Sequence, residues 1–372
     1  MIRRLVLAGL SAVMLGTSML APLASSQYAA RSPEYGVNAF LLGLPETTPR
    51  DLSIVTTAGF EWVKLTVPWR SIEYSCKSCL DWSDLDRAVS AANASGAKIL
   101  ARIDYSPPWA AQSDTDNSPP ANPADFVDFM NRLVDRYRID SPIGRIQAVQ
   151  IWNEPNLTRE WGQKPIDEAA AKEYAYLLKQ TYMSIKAVDP NVTVVTAGLS
   201  PTGTNDGTAA PDDVYLDWLF QEGIQGYYDV LGVHGAGYGS PPETEILSVP
   251  GYDHPSFYFR RVEQLRAIQE RYGDGGKQVW LLEFGWTTDT VHPNYSWYAV
   301  TPEQQADYIV RAYKFAHERW SPWMGVMFLW TACDPRWTPD DEQYWWCVDD
   351  PDGTPRAALN SFKDARASGA LP

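Results

Sequence analysis

Two glutamates in this 372-residue chain each follow a short apolar run that is typical of a buried strand. Glu154 lies in the string IWNEPN, and Glu283 lies in the string LLEFGW. A facing pair of carboxyls can protonate a leaving oxygen and attack the neighbouring carbon, as the cleavage of a glycosidic bond requires. The sequence therefore predicts acid, base and nucleophile chemistry between these two residues, with no metal and no cofactor.

The spacing of the two glutamates indicates how the chain could bring them together. Their separation equals three repeats of about 43 residues, the length of a strand, loop, helix and loop in a (β/α)8 barrel. The side chains at the carboxyl ends of barrel strands converge on one mouth. We therefore expect both carboxyls to lie at the same end of one barrel.

Strand-like and helix-periodic segments alternate along the whole chain, which favours a parallel sheet with crossover helices. The connections that leave the strands are long, whereas those that enter them are short. The pattern predicts an α/β fold, a single-domain (β/α)8 TIM barrel with long βα loops. The eight predicted strands are 35–41, 62–69, 97–103, 146–152, 192–199, 230–234, 278–283 and 325–331.

Two of the predicted helices carry clear start signals. Asn122 and Pro123 supply an N-cap and a first helical residue for a helix that extends to Tyr137. Thr301 and Gln304 have the spacing of a capping box in front of another amphipathic segment. These signals fix where the two helices begin.

The first 26 residues resemble a secretory signal peptide, with Arg3 and Arg4 before an apolar stretch and small residues at its end. An uncleaved membrane anchor is the alternative. Cleavage leaves residues 27–372 as the catalytic barrel, which we expect to be secreted, or held at the cell surface if the anchor stays. The net charge of −15 disfavours nucleic acid as a partner, and we expect a monomer that does not associate with membranes after cleavage.

The four cysteines are expected to form disulfides, because export leads to an oxidising compartment. The local pairing joins Cys76 to Cys79 and Cys333 to Cys347. The first pair also has the spacing of a redox motif or of half a zinc site.

The strings around the two glutamates resemble those of glycoside hydrolase clan A, most closely families 39 and 5. Members of that clan carry Asn-Glu at the end of strand four and Glu at the end of strand seven. The resemblance implies that Glu154 is the acid/base, that Glu283 is the nucleophile and that Asn153 binds the sugar 2-hydroxyl. It also implies a retaining mechanism, which requires Glu154 to be protonated and Glu283 to be ionised when substrate binds.

Five further residues match positions near the clan's substrate. His234 ends strand six, and Tyr238 is a candidate for the tyrosine that hydrogen-bonds the nucleophile, although its spacing departs from the usual His-x-Tyr. Trp330 corresponds to the sugar-platform tryptophan, and Trp109 is a weaker platform candidate. Lys64 binds the nucleophile if its side chain points into the barrel, and is solvated if it points outward.

The predicted substrate is a β-linked polysaccharide or oligosaccharide. Families 39 and 5 include β-xylosidases, exopolysaccharide hydrolases, endoglucanases and mannanases, so the sugar and the position of the cut stay open. A transglycosylase and a non-catalytic carbohydrate-binding barrel are the alternatives. Many aromatic residues in the predicted loops suit several sugar subsites: Trp161, Tyr252, Tyr295, Trp297, Trp337, Tyr344, Trp345 and Trp346.

Overall fold

The computed structural model describes residues 32–372, and the predicted signal peptide at residues 1–26 lies outside them. Eight strands occur at the predicted places, with ends that differ by a few residues. They are nearly all buried, because helices cover the outer face of the sheet and side chains fill its interior. The strands are β1 (Glu34–Ala39), β2 (Trp62–Pro68), β3 (Lys98–Asp104), β4 (Ala148–Ile151), β5 (Thr193–Val195), β6 (Leu231–His234), β7 (Val279–Phe284) and β8 (Met324–Leu329).

Within residues 32–372, ten α-helices connect and follow these strands. Both predicted start signals are confirmed, since Asn122 caps the helix at Pro123 and Thr301 forms a capping box with Gln304. The helices are α1 (Thr48–Ala58), α2 (Trp69–Ile72), α3 (Ser83–Ala94), α4 (Pro123–Arg136), α5 (Glu168–Val188), α6 (Asp212–Gln221), α7 (Arg261–Arg271), α8 (Pro293–Ser296), α9 (Pro302–Arg319) and α10 (Ala357–Ala367).

The strands form one parallel sheet in the order β5-β4-β3-β2-β1-β8-β7-β6. The two outer strands meet at a parallel bridge between Val195 and Val230, which closes the sheet into a barrel. The predicted (β/α)8 barrel is therefore confirmed, and its strand carboxyl ends share one mouth.

Inward-facing side chains fill the barrel in layers, as close packing requires. The lower layer is apolar and contains Trp62, Trp280 and Phe328, whose rings contact one another edge-on or at a tilt. Gly36 makes room for this layer, because a Cβ there would lie 2.5 Å from the ring of Phe328. Lys64, Arg102, Glu154 and Glu283 lie above this plug, towards the mouth, whereas Glu34 and Lys98 form an ion pair at its lower side.

Strand β7 contains an irregularity that aims Glu283 inward. Trp280 and Leu282 both belong to the apolar cluster inside the barrel, so strict alternation would turn the next side chain towards the helices. The pairing with β6 skips one residue, because Val233 lies opposite Leu281 and His234 lies opposite Glu283. This bulge places Glu283 in the mouth, and bulges commonly re-aim side chains in this way.

Both predicted disulfides are present, one between Cys76 and Cys79 and the other between Cys333 and Cys347. The second bridge closes part of the long loop that follows β8. None of the helices among residues 32–372 combines the length and the apolar character that crossing a bilayer requires.

Candidate active site

A cavity of about 840 Å³ opens at the carboxyl ends of the strands, and both predicted glutamates line it. Most of its wall comes from the long loops after β1, β4, β6, β7 and β8. The predicted residues Asn153, His234, Tyr238 and Trp330 line the same cavity. Side chains that are far apart in the sequence thus converge on one concave site of the size that binds organic ligands.

Buried cations surround the carboxylate of Glu283. The ammonium group of Lys64 lies 2.6 Å from Glu283 Oε1, and the Lys64 side chain is only 1% exposed. The guanidinium of Arg102 lies 3.8 Å from the same oxygen, while Asp104 fixes it from behind at 2.7 Å. Lys64 therefore points into the barrel, the first of its two predicted orientations.

The chain turns sharply where Glu154 leaves β4. Trp152 and Glu154 both have positive φ angles, of 69° and 41°, and such angles are costly for residues other than glycine. Surrounding contacts hold this turn, since Trp152 donates from its ring nitrogen to the Glu160 carbonyl and Glu154 N donates to the Gly198 carbonyl. The turn directs the Glu154 side chain across the mouth towards β6.

His234 connects the two glutamates. Its Nδ1 lies 2.9 Å from Glu154 Oε1, and its Nε2 lies 3.8 Å from Glu283 Oε1 without a hydrogen-bond partner among the described residues. A Cβ at position 198 would lie 2.2 Å from the imidazole, so Gly198 creates the space in which His234 sits. The imidazole thus faces both carboxylates from a buried position.

The charged neighbours lower the pKa values of both glutamates, although their burial acts in the opposite direction. Burial raises the pKa of Glu283, but the positive charges of Lys64, His234 and Arg102 outweigh it and bring this pKa to about 2. Burial also raises the pKa of Glu154, yet the hydrogen bond and charge of His234 lower it overall. Glu283 is thus strongly held as a carboxylate by several cations, whereas the pKa of Glu154 is lowered mainly by His234 and less by Arg159.

The two carboxyl groups are close. One oxygen of Glu154, one oxygen of Glu283 and one imidazole nitrogen of His234 all lie within 4.8 Å of one another. Retaining glycosidases have carboxyls about 5 to 5.5 Å apart, and inverting ones have them about 6.5 to 9.5 Å apart. The geometry matches the first arrangement.

The same three residues have ligand types that could hold a divalent cation. Lys64 and Arg102 already place two positive charges next to Glu283 Oε1, and His234 Nδ1 already pairs with Glu154. A metal ion there would meet strong electrostatic repulsion. The donor set therefore suits an organic ligand better than a metal ion.

Two of the predicted sugar-binding residues occupy other places than expected. The hydroxyl of Tyr238 makes no hydrogen bond to Glu283 in the described chain, and its ring packs instead on Phe257 and Tyr298. Trp109 is not part of the cavity wall, because its ring packs edge-on against Trp69 and its Nε1 donates to the Glu73 carbonyl. Tyr238 still lines the cavity, but Trp109 belongs to the packing beneath the β3 loop.

The structure adds residues to the site that sequence reasoning missed. Arg159 lies 3.3 Å from Glu154 Oε2 and 3.4 Å from Glu160 Oε1, so it bridges two carboxylates. Burial raises the pKa of Glu160, and the nearby charge of Glu154 raises it further. Arg159 and Glu160 could have been found from the sequence, because they lie shortly after the IWNEPN string. Arg102, which also belongs to the site, could have been found from its inward position on β3.

No family model matches the sequence, and no curated protein matches it. The fold, by contrast, has many similar solved structures. A family 39 glycoside hydrolase from Bacteroides cellulosilyticus WH2 aligns with 90% of this chain at a TM-score of 0.67 and 21% identity. The chain spans 63% of the length of that structure.

Two further structures show the same likeness over nearly the whole chain. A GH5_18 structure from Streptomyces cattleya in complex with GlcNAc aligns with 91% of this chain and 80% of its own, at a TM-score of 0.60 and 14% identity. An endo-β-1,4-glucanase from Xanthomonas axonopodis pv. citri aligns with 91% and 100%, at a TM-score of 0.58 and 15% identity. The chain therefore has the barrel fold found in glycoside hydrolases of families 39 and 5.

Proposed function

We propose that this protein is a retaining glycoside hydrolase that cleaves β-linked oligosaccharides or polysaccharides. The observation that carries the proposal is the pair of carboxyls, Glu154 and Glu283, whose oxygens lie within 4.8 Å at one barrel mouth. The cations around Glu283 support its role as the ionised carboxyl, whereas the lowered pKa of Glu154 has to rise when substrate binds for this residue to act as the acid. Glu283 is the proposed nucleophile and Glu154 the proposed acid/base.

In the first half of the reaction, Glu283 attacks the anomeric carbon and Glu154 gives its proton to the departing oxygen. Lys64 and Arg102 hold Glu283 as a carboxylate and keep its Oε1 in place. His234 lies within hydrogen-bond distance of Glu154, so the pair can share one proton before substrate arrives. A bound sugar excludes water and raises the pKa of Glu154, because desolvation disfavours the charged form.

In the second half, Glu154 removes a proton from water, and this water breaks the bond between Glu283 and the sugar. Asn153 lines the cavity beside Glu154 and is proposed to hold the sugar 2-hydroxyl. Trp330 is proposed as the platform against which the apolar face of the glycone packs. Both steps invert the anomeric carbon, so the product keeps the substrate's configuration.

The stereochemistry of the first product tests this proposal. A panel of polysaccharides and nitrophenyl β-glycosides identifies a cleaved compound, and NMR then follows the anomeric proton immediately after cleavage. We expect the β-anomer to appear first and to mutarotate later. A first product with the α configuration would contradict the covalent route, and activity that persists in Glu154→Gln and Glu283→Ala would remove both assignments.

The same panel distinguishes the related activities. Transfer of the sugar to a second sugar at high substrate concentration would identify a transglycosylase, which shares the covalent step. Binding of an oligosaccharide without turnover by the wild-type protein would identify a carbohydrate-binding barrel.

We further propose that the protein acts outside the cytoplasm as a monomer without a nucleic-acid partner. Its two disulfides are compatible with an oxidising compartment. Detection of the protein in the culture medium, with an N-terminus at residue 27, would support secretion and signal cleavage. A protein that stays in the membrane fraction with residues 1–26 attached would contradict it.

A further inference from the structure

An aromatic surface extends the cavity beyond the two glutamates. It consists of Phe40, Trp330 and Trp337, which we call the aromatic shelf. All three line the cavity, and all three are only partly buried. The ring centroids of Phe40 and Trp337 lie 4.7 Å apart, and those of Phe40 and Trp330 lie 6.1 Å apart. The shelf is thus continuous with the proposed platform at Trp330 and extends away from it.

The loop that carries Trp337 is held firmly. The disulfide between Cys333 and Cys347 closes it, and Trp337 N donates to the carbonyl of Asp334 at 3.0 Å. The carboxylate of Asp334 in turn forms an ion pair with Arg336. A preorganised aromatic side chain loses little entropy when it binds a ligand. The shelf is therefore built as a stable surface rather than a collapsed loop.

The position of the shelf defines which part of a substrate it meets. Phe40 follows β1, and both tryptophans follow β8, whereas Glu154 follows β4 on the opposite side of the barrel. The leaving group departs towards the residue that protonates it. Sugar units that bind on the side away from Glu154 therefore belong to the glycone part of the substrate.

The charges that border the shelf are already paired. Asp334 pairs with Arg336, and Asp84 pairs with Arg87 while accepting a hydrogen bond from Gly43 N. Asp81, which lines the cavity beside Asp84, accepts hydrogen bonds from Ser83, so the described residues of this border offer no unpaired cation for the carboxylate of a uronic acid. An aromatic surface with paired charges around it suits the apolar face of an uncharged sugar.

We propose that the aromatic shelf is a second glycone subsite, which binds the uncharged sugar unit that precedes the cleaved one. This inference rests on the proposed glycosidase function and specifies its substrate. The preferred substrate then has at least two sugar units on the non-reducing side of the cleaved bond. A glycoside with a single sugar unit leaves the shelf empty and is a poor substrate.

The test compares nitrophenyl β-glycosides that carry one sugar unit with those that carry two units of the same sugar, drawn from the glucose, mannose and xylose series. Wild type is expected to prefer the two-unit compound in kcat/KM. Trp337→Ala is expected to reduce kcat/KM roughly tenfold on the two-unit compound, as the loss of one stacking face implies, and to leave the one-unit value within about twofold. Phe40→Ala is expected to act in the same direction.

Trp345→Ala is the matched control, since Trp345 lies in the same loop and outside the cavity wall. It should leave both values unchanged, and circular dichroism checks that each variant folds. Equal losses on the one-unit and two-unit compounds, or the same selective loss in Trp345→Ala, would overturn the shelf as a subsite.

Different results would reject the second subsite and the glycosidase function. If Glu283→Ala is inactive on all compounds while Trp337→Ala keeps the wild-type ratio of kcat/KM between the two-unit and one-unit compounds, the shelf is not a subsite and the proposed function stands. If wild type cleaves nothing, the function is wrong. In that case, titration of wild type and Trp337→Ala with tetrasaccharides of the same three series tests whether the shelf binds sugar. Weaker binding by Trp337→Ala would support the shelf as a binding surface. Equal affinities of the two proteins, or no binding by either, would contradict it.

Discussion

The two sides of the barrel mouth hold their carboxylates by different means. On one side, Lys64 and Arg102 are buried and lie against Glu283. On the other side, Glu154 contacts His234 and Arg159, and the Arg159 side chain is 68% exposed. Buried cations face one carboxylate, whereas a histidine and a solvated cation face the other.

This difference corresponds to two chemical tasks. A nucleophile has to stay ionised throughout the pH range in which the enzyme works, and buried positive charge ensures this. An acid/base has to gain and lose a proton in each cycle, so its surroundings must allow both states. Substitutions on the two sides should therefore have different signatures.

Glu283→Ala should have the largest effect. We expect turnover to fall by more than about 10⁴-fold, because no other group can form the covalent bond. Added azide should enter the vacated space and restore part of the activity with an inverted product, seen by NMR. Glu270→Ala, at an exposed site on α7, is the control and should keep wild-type turnover. Rescue with retained configuration would place the nucleophile elsewhere.

Glu154→Gln should have an effect that depends on the leaving group. Loss of general acid catalysis is expected to lower turnover by about 10² to 10⁴-fold on natural sugar substrates. Dinitrophenyl glycosides need little protonation, so their glycosylation step should be nearly unaffected in a stopped-flow burst. An equal loss on both kinds of substrate would contradict the assignment of Glu154 as the acid.

Lys64→Met should change the acidic limb of the pH profile. Burial alone raises the pKa of Glu283, and the charge of Lys64 is the largest opposing influence. Without it, the pKa of Glu283 rises from about 2, so the acidic limb of kcat/KM moves to higher pH. We also expect kcat to fall on the order of 10²-fold, as for the loss of one preorganised charge.

Lys98→Met is the control for that experiment. Lys98 begins β3 at the other end of the barrel and pairs with Glu34 at 2.8 Å. Its loss should leave the acidic limb in place. An acidic limb that does not move in Lys64→Met would show that the charges of His234 and Arg102 alone keep Glu283 ionised against the effect of burial.

Arg159→Gln should have the smallest effect. The charge of Arg159 lowers the pKa of Glu154, so its removal raises that pKa and moves the basic limb of kcat/KM to higher pH. We expect less than about a tenfold change in turnover, because an exposed ion pair is screened by water. Arg138→Gln, at an exposed arginine on the surface, serves as the control. A basic limb that moves to lower pH would contradict the sign.

Most of the fold could be predicted from the sequence. Strand-like runs and capped helices depend on local patterns, and the Asn122 and Thr301 caps show how directly such patterns act. Strand ends were less predictable. The predicted fourth strand extended to Trp152, but the positive φ of that residue ends the ladder at Ile151.

The site was harder to predict where it depends on exceptions to regular geometry. Alternation along β7 would turn Glu283 out of the barrel, and only the bulge beside Leu282 turns it inward. The resemblance to clan A identified Glu283 without explaining this. The orientation of Lys64 was open for the same reason, since one residue of register decides which face a side chain occupies.

Aromatic residues were the least predictable. Trp109 and Trp337 both lie in loops after strands, and composition does not distinguish them. The first is fixed by Trp69 beneath the β3 loop, whereas the second is exposed in the cavity by a disulfide-closed loop. Tertiary contacts, and not the residue type, decide which ring reaches a substrate.

The closure of the barrel between β5 and β6 has a consequence for hydrogen exchange. Strand β5 is three residues long. The contact across this seam includes the bridge between Val195 and Val230 and a hydrogen bond from Gly232 N to the side-chain oxygen of Thr196. Amide protons along the seam should exchange with deuterium before those of β2 and β3, which pair over seven residues. Thermal fluctuations would then open the cylinder beside His234, while the Lys64 and Arg102 wall stays intact.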